Sequence, residues 1–262
     1  MLKKVSNFVA SQIQEELTQV LNHQALTQEF IGGVIAGVQK HAIITGAPGL
    51  GKSFSVQQAL DDAGKVVNKD YFIVKGHITP TQLFKILYLY KEAGQVVVLD
   101  DCDDVFNTEI GLNILKAAMD PTNKTVSYFS QRYMVINDRV VQDFVFDGTV
   151  ILCTNITLST GRLGRKSEHM AAITSRAPIW PMNWNSRTQK FAQIFNMVKN
   201  VGYLAYDERT KLSPDQIDEL LNFLWENLED INNLDLRLPY RIASQMKASK
   251  NWRQLCTVLI RG

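Results

Sequence analysis

Residues 42–54 read AIITGAPGLGKSF, and no other stretch constrains the fold as strongly. The apolar AIIT has the character of a buried strand, and SFSVQQAL after the loop has helical spacing. Between them, Gly46, Ala47, Pro48, Gly49, Leu50, Gly51, Lys52 and Ser53 satisfy every fixed position of the phosphate-loop pattern G-x-x-x-x-G-K-[ST]. The residue types follow from the chemistry. Glycines let backbone N–H groups turn inward around an anion, and the helix that follows directs its positive N-terminus at the same point. Lys52 neutralises phosphate charge, the Ser53 hydroxyl can ligate Mg²⁺, and Phe54 closes the stretch expected to hold the nucleotide.

A second stretch, VVVLDDCDDVF at residues 96–106, reads as a central parallel strand whose C-terminal end carries acids, the end at which α/β sheets place their ligands. Asp100 is positioned to hold Mg²⁺. Asp101 stands where many hydrolytic ATPases carry a glutamate that polarises the attacking water, and it is one methylene shorter. Asp103 and Asp104 read as a solvated helix start. Residues 71–74 (YFIV) form a further strand. Lys75, Gly76 and His77 then connect it to a helix opened by Thr79-Pro80, with Leu83, Ile86, Leu87 and Leu89 on its apolar side.

EIGLNILKAAMD is again helical. Residues 125–146 alternate and are rich in β-formers, with Asn137-Asp138 at the turn of a β-hairpin. Tyr128, Phe129 and Tyr133 lie close in sequence to Lys124, Arg132 and Arg139. That mixture suits either a packed aromatic face or contact with a nucleic acid strand or a peptide. Residues 149–155 (TVILCTN) form another buried strand, ending at Asn155, a residue that can orient water or simply bond its own turn.

The order strand, phosphate loop, helix, strand, strand with LDD, strand ending in Asn, helix ending in Ser-Arg resembles the AAA+ ATPase family, from about Leu17 to Gly262. LDDCDDVF followed by NILKAAMD is most similar to AAA+ ATPases encoded by tailed bacteriophages. The resemblance implies a five-stranded parallel αβα domain over residues 1–186, with the hairpin inserted before the sensor-1 strand, and an α-helical lid over 187–262. It implies that Asn155 is sensor 1. Arg176 becomes the finger that acts in a neighbouring copy's site, with Arg162 and Arg165 as rivals. A finger stabilises charge on the transferring phosphoryl group, by about 10³–10⁵ in rate. Acting in trans, it makes the protein a homo-oligomer, in a ring or spiral. In the lid, Arg237 is the sensor-2 candidate, ahead of Arg241. ATP and Mg²⁺ are the implied cofactors.

The lid stretches TQKFAQIFNMVKNVG and SPDQIDELLNFLWENLEDI read as amphipathic, the second with Ser213-Pro214 as N-cap and first residue. From Arg237 onward there are six basic residues and no Asp or Glu, after a strongly acidic stretch from Asp207 to Asp235. This asymmetry suits docking between copies as well as contact with nucleic acid. Three scattered cysteines point to reduced thiols, and no apolar run has the length of a membrane span, so the expected location is cytoplasmic, in the host if phage-encoded. The expected work is remodelling of a protein or nucleoprotein client. A slow-turnover, ATP-dependent DNA-binding or helicase-loader module is the alternative. The loop KGHIT carries no aromatic residue, which argues against threading of an unfolded chain.

Overall fold

The computed structural model describes residues 9, 11–129, 134–155 and 171–261, so Arg132, Tyr133, Arg162 and Arg165 lie outside the described residues. The chain forms two compact units. One comprises Thr27–Ala47 and Lys52–Met182; the other takes the described residues up to Leu26, Pro48–Gly51, and those from Asn183 onward. The compact units divide at Met182, and the described residues before Thr27 group with the C-terminal helices.

The first unit is built on a parallel five-stranded sheet, in the order β2-β3-β8-β1-β9. Its strands are β1 (His41–Thr45), β2 (Tyr71–Lys75), β3 (Val96–Asp100), β8 (Thr149–Thr154) and β9 (Ile179–Pro181). Every residue of β1, β3 and β8 is buried, as expected of parallel strands covered on both faces by helices. Ile44, Val96, Val98 and Ile151 pack toward Val56 and Leu60 of α2 (Lys52–Asp62) and toward Ile31 and Val34 of α1 (Gln14–Ile35). Val97, Leu99, Val150 and Leu152 pack on the opposite face with α3 (Pro80–Leu89) and α4 (Glu109–Ala118). Each fully buried Val, Leu or Ile stabilises this arrangement by about 1.5–3 kcal/mol.

α3 begins as the sequence suggests: Thr79 caps it by accepting from Gln82 N, with Pro80 in the first turn. Its buried face, however, is Leu83, Phe84 and Leu87, while Leu89 is exposed. At about 100° per residue, Leu89 lies nearly opposite Leu87, and Phe84 takes the place on the core face.

The hairpin consists of two short ladders. β5 (Met134–Ile136) pairs with β6 (Arg139–Val141), and β4 (Thr125–Ser127) pairs with β7 (Asp143–Val145). Asn137 and Asp138 both have positive φ, 50° and 61°, as a two-residue turn of this handedness requires. Its aromatic face is packed: Phe144 and Tyr128 both contact Phe84, while Phe129 is exposed.

The second unit holds α5 (Arg187–Lys199), α6 (Pro214–Glu226), α7 (Arg237–Ala248) and α8 (Trp252–Arg261). Ser186 and Ser213 each form a capping box, with Gln189 and Gln216. α5 departs from the amphipathic expectation, since all residues from Phe191 to Val198 are buried. Its polar members are satisfied inside: Gln193 donates to Leu50 O at 2.6 Å and Asn196 donates to Gln24 Oε1 at 2.6 Å. Cys102, Cys153 and Cys256 are free and buried. Among the described residues, no helix is long and apolar enough to cross a membrane.

Candidate functional site

Strand order decides which side chains meet. β8 lies between β1 and β3, in parallel register with both: Thr45 lies opposite Thr154, and Asp100 opposite Cys153. The C-terminal ends of the three strands thus bring together the phosphate loop after β1, Asp100 on β3 and Asn155 after β8. This is the edge at which open α/β sheets bind ligands.

The loop is shaped by its contacts. Gly46 has φ 153°, and a Cβ there would stand 2.2 Å from Met182 O. Gly49 has φ 75°, and a Cβ there would stand 2.6 Å from the Asp235 side chain. Within the helical unit the crest of the loop, Pro48–Gly51, is held by Leu236 N donating to Gly49 O at 3.0 Å, besides the Gln193 bond to Leu50. Ala47 and Pro48 are exposed, Leu50 is buried, and Phe54 is half-buried.

In the sheet unit Lys52 is 5% exposed, and its ammonium donates to Gly46 O at 2.8 Å, Ala47 O at 3.1 Å and Asn155 Oδ1 at 2.5 Å. Burial pulls its pKa below the ordinary lysine value, while Asp101, and less strongly Asp100 and Asp103, pull the other way. Ser53 Oγ donates to Asp100 Oδ1 at 2.5 Å. Asn155 Nδ2 donates to Asp101 Oδ1 at 2.8 Å. Asp101 is exposed and has φ 54°, a left-handed conformation that Asp tolerates better than most residues. One asparagine therefore links the loop lysine to the acid after β3.

Asp103 corrects the sequence reading. It is half-buried and accepts from the hydroxyl of buried Thr154 at 2.6 Å, so it ties the turn after β3 to the end of β8 instead of merely opening a solvated helix. Asp104 faces His77 Nδ1 at 2.8 Å.

Arg176 follows a helical turn at 171–174 and is engaged within its own chain. Nη1 donates to Ala172 O at 2.7 Å and Nη2 to Asp120 Oδ2 at 3.2 Å, while its buried Nε–H meets no acceptor among the described residues. The other oxygen of Asp120 accepts from Asn123 N, Thr122 N and Thr122 Oγ1. These bonds, the Asn123 N–H first, hold its carboxyl well below the usual range. Asp120 was legible as the head of an Asx turn in Asp-Pro-Thr-Asn, but nothing in the sequence pairs it with Arg176. Arg237, exposed, is the first residue of α7, with Pro239 in that first turn; Arg241 is also exposed.

Fold and site together define a five-stranded parallel α/β architecture of the phosphate-loop type with a C-terminal helical region. No family model matches the chain. It is 24% identical over 229 residues to an uncharacterized 36.7 kDa protein of the nrdC-mobD intergenic region of Enterobacteria phage T4, covering 86% of this chain and 69% of that protein. Among solved structures it is similar to NtrX from Brucella abortus in complex with ATP, with a TM-score of 0.49, 15% identity and coverage of 93% of this chain. The NtrX complex with ADP gives a TM-score of 0.47, 14% identity and 91% coverage. The chain spans about half the length of these solved structures.

Proposed function

We propose that this protein is an AAA+ ATPase. It binds ATP with Mg²⁺ on the phosphate loop and hydrolyses it in an assembly of its own copies, to remodel a protein or nucleoprotein client. The observation that carries this reading is the convergence of Lys52, Ser53, Asp100, Asp101 and Asn155 at adjoining strand ends. The likeness to a phage T4 protein motivates placing the work in phage infection, with replication as one setting.

The geometry supports a particular coupling. A lysine ammonium has three N–H donors, and all three of Lys52's are spent. To hold a phosphate, Lys52 must give one up, and Asn155 is the partner free to turn because it is a side chain. Its Oδ1 then becomes available to a water, beside the Asp101 carboxylate that its Nδ2 already holds. Asp101 would accept the proton of that water as it attacks the terminal phosphorus, while the bond from that phosphorus to the β–γ bridging oxygen breaks and ADP leaves. Ser53 and Asp100 offer a hydroxyl and a carboxylate oxygen side by side, the hard donors that would hold Mg²⁺. When bound, the ion neutralises charge on the β- and γ-phosphates.

Arg176 is the proposed finger, and to act on a neighbouring copy it must exchange Asp120 for phosphate. Arg237 is proposed to contact the nucleotide from the lid. The second reading, a slow-turnover ATP-dependent DNA-binding or loader module, is favoured by Asp101 in place of glutamate and by the engagement of Arg176 in its own chain.

The test is steady-state hydrolysis across protein concentration for wild type, Lys52→Ala, Arg176→Ala and an equal mixture of the two variants, with particle mass measured alongside. Activity that rises with assembly, is lost in both variants and partly returns in the mixture supports the remodelling ATPase. A monomer that binds ATP and is indifferent to Arg176→Ala supports the binding module.

A further inference from the structure

Each ladder of the hairpin is two-stranded, so among the described residues the outer edge of β6–β7 pairs with no further strand. In an antiparallel pair, residues alternate between exchanging both backbone bonds with the partner and pointing those groups away. Tyr128 N donates to Gln142 O and Phe146 N donates to Lys124 O, so residues 142, 144 and 146 turn their backbone toward β4. Asp143 and Val145 therefore point their N–H and C=O groups outward. In the β5–β6 ladder, closed by the two-residue turn, Val140 does the same. Among the described residues no backbone bond engages these outward N–H groups.

This edge does not face open water alone. Residues 139–145 form one wall of a groove of about 590 Å³, and Tyr88, Lys91 and Glu92, at and just beyond the end of α3, form the other. The floor is pinned by Asp147 N donating to Lys91 O at 2.8 Å, and Lys91 lies over the Tyr88 ring at 4.2 Å. Unpaired strand edges are a liability that proteins normally cover or charge. Here the outward face adds Val140 and Val145, 60% and 57% exposed. The lining carries two cations, Lys91 and Arg139, and three carboxylates, Glu92, Asp143 and Asp147, the last paired with Lys124 at 2.7 Å, so its charge is close to balanced. A groove with no excess of positive charge offers little to a polyphosphate strand and suits a polypeptide.

We infer that the outer edge of β6–β7 is a docking site for an extended segment of a partner protein, added as a further β-strand. The segment presents a β-branched residue opposite Val145 and a basic residue opposite Asp143. Backbone bonds to the outward groups supply affinity and the two side-chain positions supply selectivity. The inference does not depend on nucleotide chemistry.

The probe is a fluorescent acetylated heptapeptide, Thr-Val-Thr-Lys-Thr-Thr-Val-amide, followed by anisotropy on the full chain. Its second and fourth residues lie opposite Val145 and Asp143 when it runs antiparallel. Saturable binding with a Kd below about 1 mM is expected. N-methylation of either of those residues should weaken it at least tenfold, and N-methylation of the intervening Thr should leave it unchanged. Val145→Pro removes an outward N–H without costing a β4–β7 bond, and should abolish binding. Asp143→Lys should weaken it at least fivefold, and exchanging the peptide lysine for glutamate should restore it. That rescue separates recognition from a folding defect. No saturable binding below about 1 mM, or an N-methylation pattern without alternation, overturns the inference. So does a groove that binds oligothymidylate in an Arg139-dependent, salt-sensitive manner in preference to the peptide.

Discussion

His41 opens β1, and Lys52 opens α2 after the loop that follows the strand. Both are 5% exposed, and burial pulls both toward their neutral forms. Their surroundings then part. His41 accepts one backbone bond, from Val150 N at 3.1 Å, and burial, followed by the charges of Lys40 and Lys124, pushes its pKa down to about 4. Lys52 stands among Asp101, Asp100 and Asp103, which oppose the burial effect. Equal exposure thus accompanies a histidine whose burial is unopposed and a lysine whose burial is opposed by three carboxylates, the group proposed above to meet the phosphate. In a parallel sheet the strand interiors are consumed by packing, so such contrasts fall at the two edges.

Four expectations sharpen or break this contrast. The largest concerns Lys52→Ala, which should weaken ATP binding and hydrolysis by about 10²–10³-fold, since it removes a preorganised phosphate donor. Calorimetric titration checks this, and wild-type affinity in the variant would remove the functional half of the contrast. Next, Asn155→Ala should split the two parameters. Releasing the third Lys52 donor should tighten ATP binding a few-fold, while loss of the proposed water-orienting group should lower kcat by about 10². Equal losses in both would mean that Asn155 only shapes the site.

The third expectation concerns pH. The folded-state pKa of His41 lies below its unfolded value, so the unfolded chain takes up the proton more readily. The stability contributed by neutral His41 is complete above about pH 6.5 and is lost as pH falls from there toward 4. The full span is on the order of 3 kcal/mol. In His41→Asn, whose side-chain oxygen can still accept from Val150, urea titrations should show that slope flattened, with ATP affinity at pH 7.5 unchanged. A slope equal to wild type would move the titration elsewhere. The smallest effect is Thr154→Val, which removes the hydroxyl bonded to Asp103 and should cost about 1 kcal/mol in chemical denaturation.

Much of the site was legible in the linear chain because its parts are local. The strand, the loop and the helix after it are contiguous, and the character of each follows from residue type. The LDD stretch and TVILCTN declared themselves as strands by unbroken apolar runs, and the α3 and α6 caps by Thr79-Pro80 and Ser213-Pro214. What escaped depends on distance. Asp103 looked like a helix-opening acid until Thr154, fifty-one residues away, supplied a hydroxyl. Asp120 and Arg176 are fifty-six residues apart, and no local pattern joins them. α5 read as amphipathic, and only the bonds to Leu50 O and Gln24 show why its Gln193 and Asn196 amides can be buried.

The sequence by itself determined the class of architecture: a parallel α/β sheet entered through a phosphate loop, a hairpin with its turn at Asn137-Asp138, and a helical C-terminal region. Those features rest on periodicity, turn chemistry and capping, which act over a few residues. The tertiary structure alone decided that Asn155 would bridge Lys52 and Asp101, that Arg176 would be held by Asp120, and that one hairpin edge would open onto a groove. Each of these depends on strand order and register, set by which apolar faces bury one another across the whole chain.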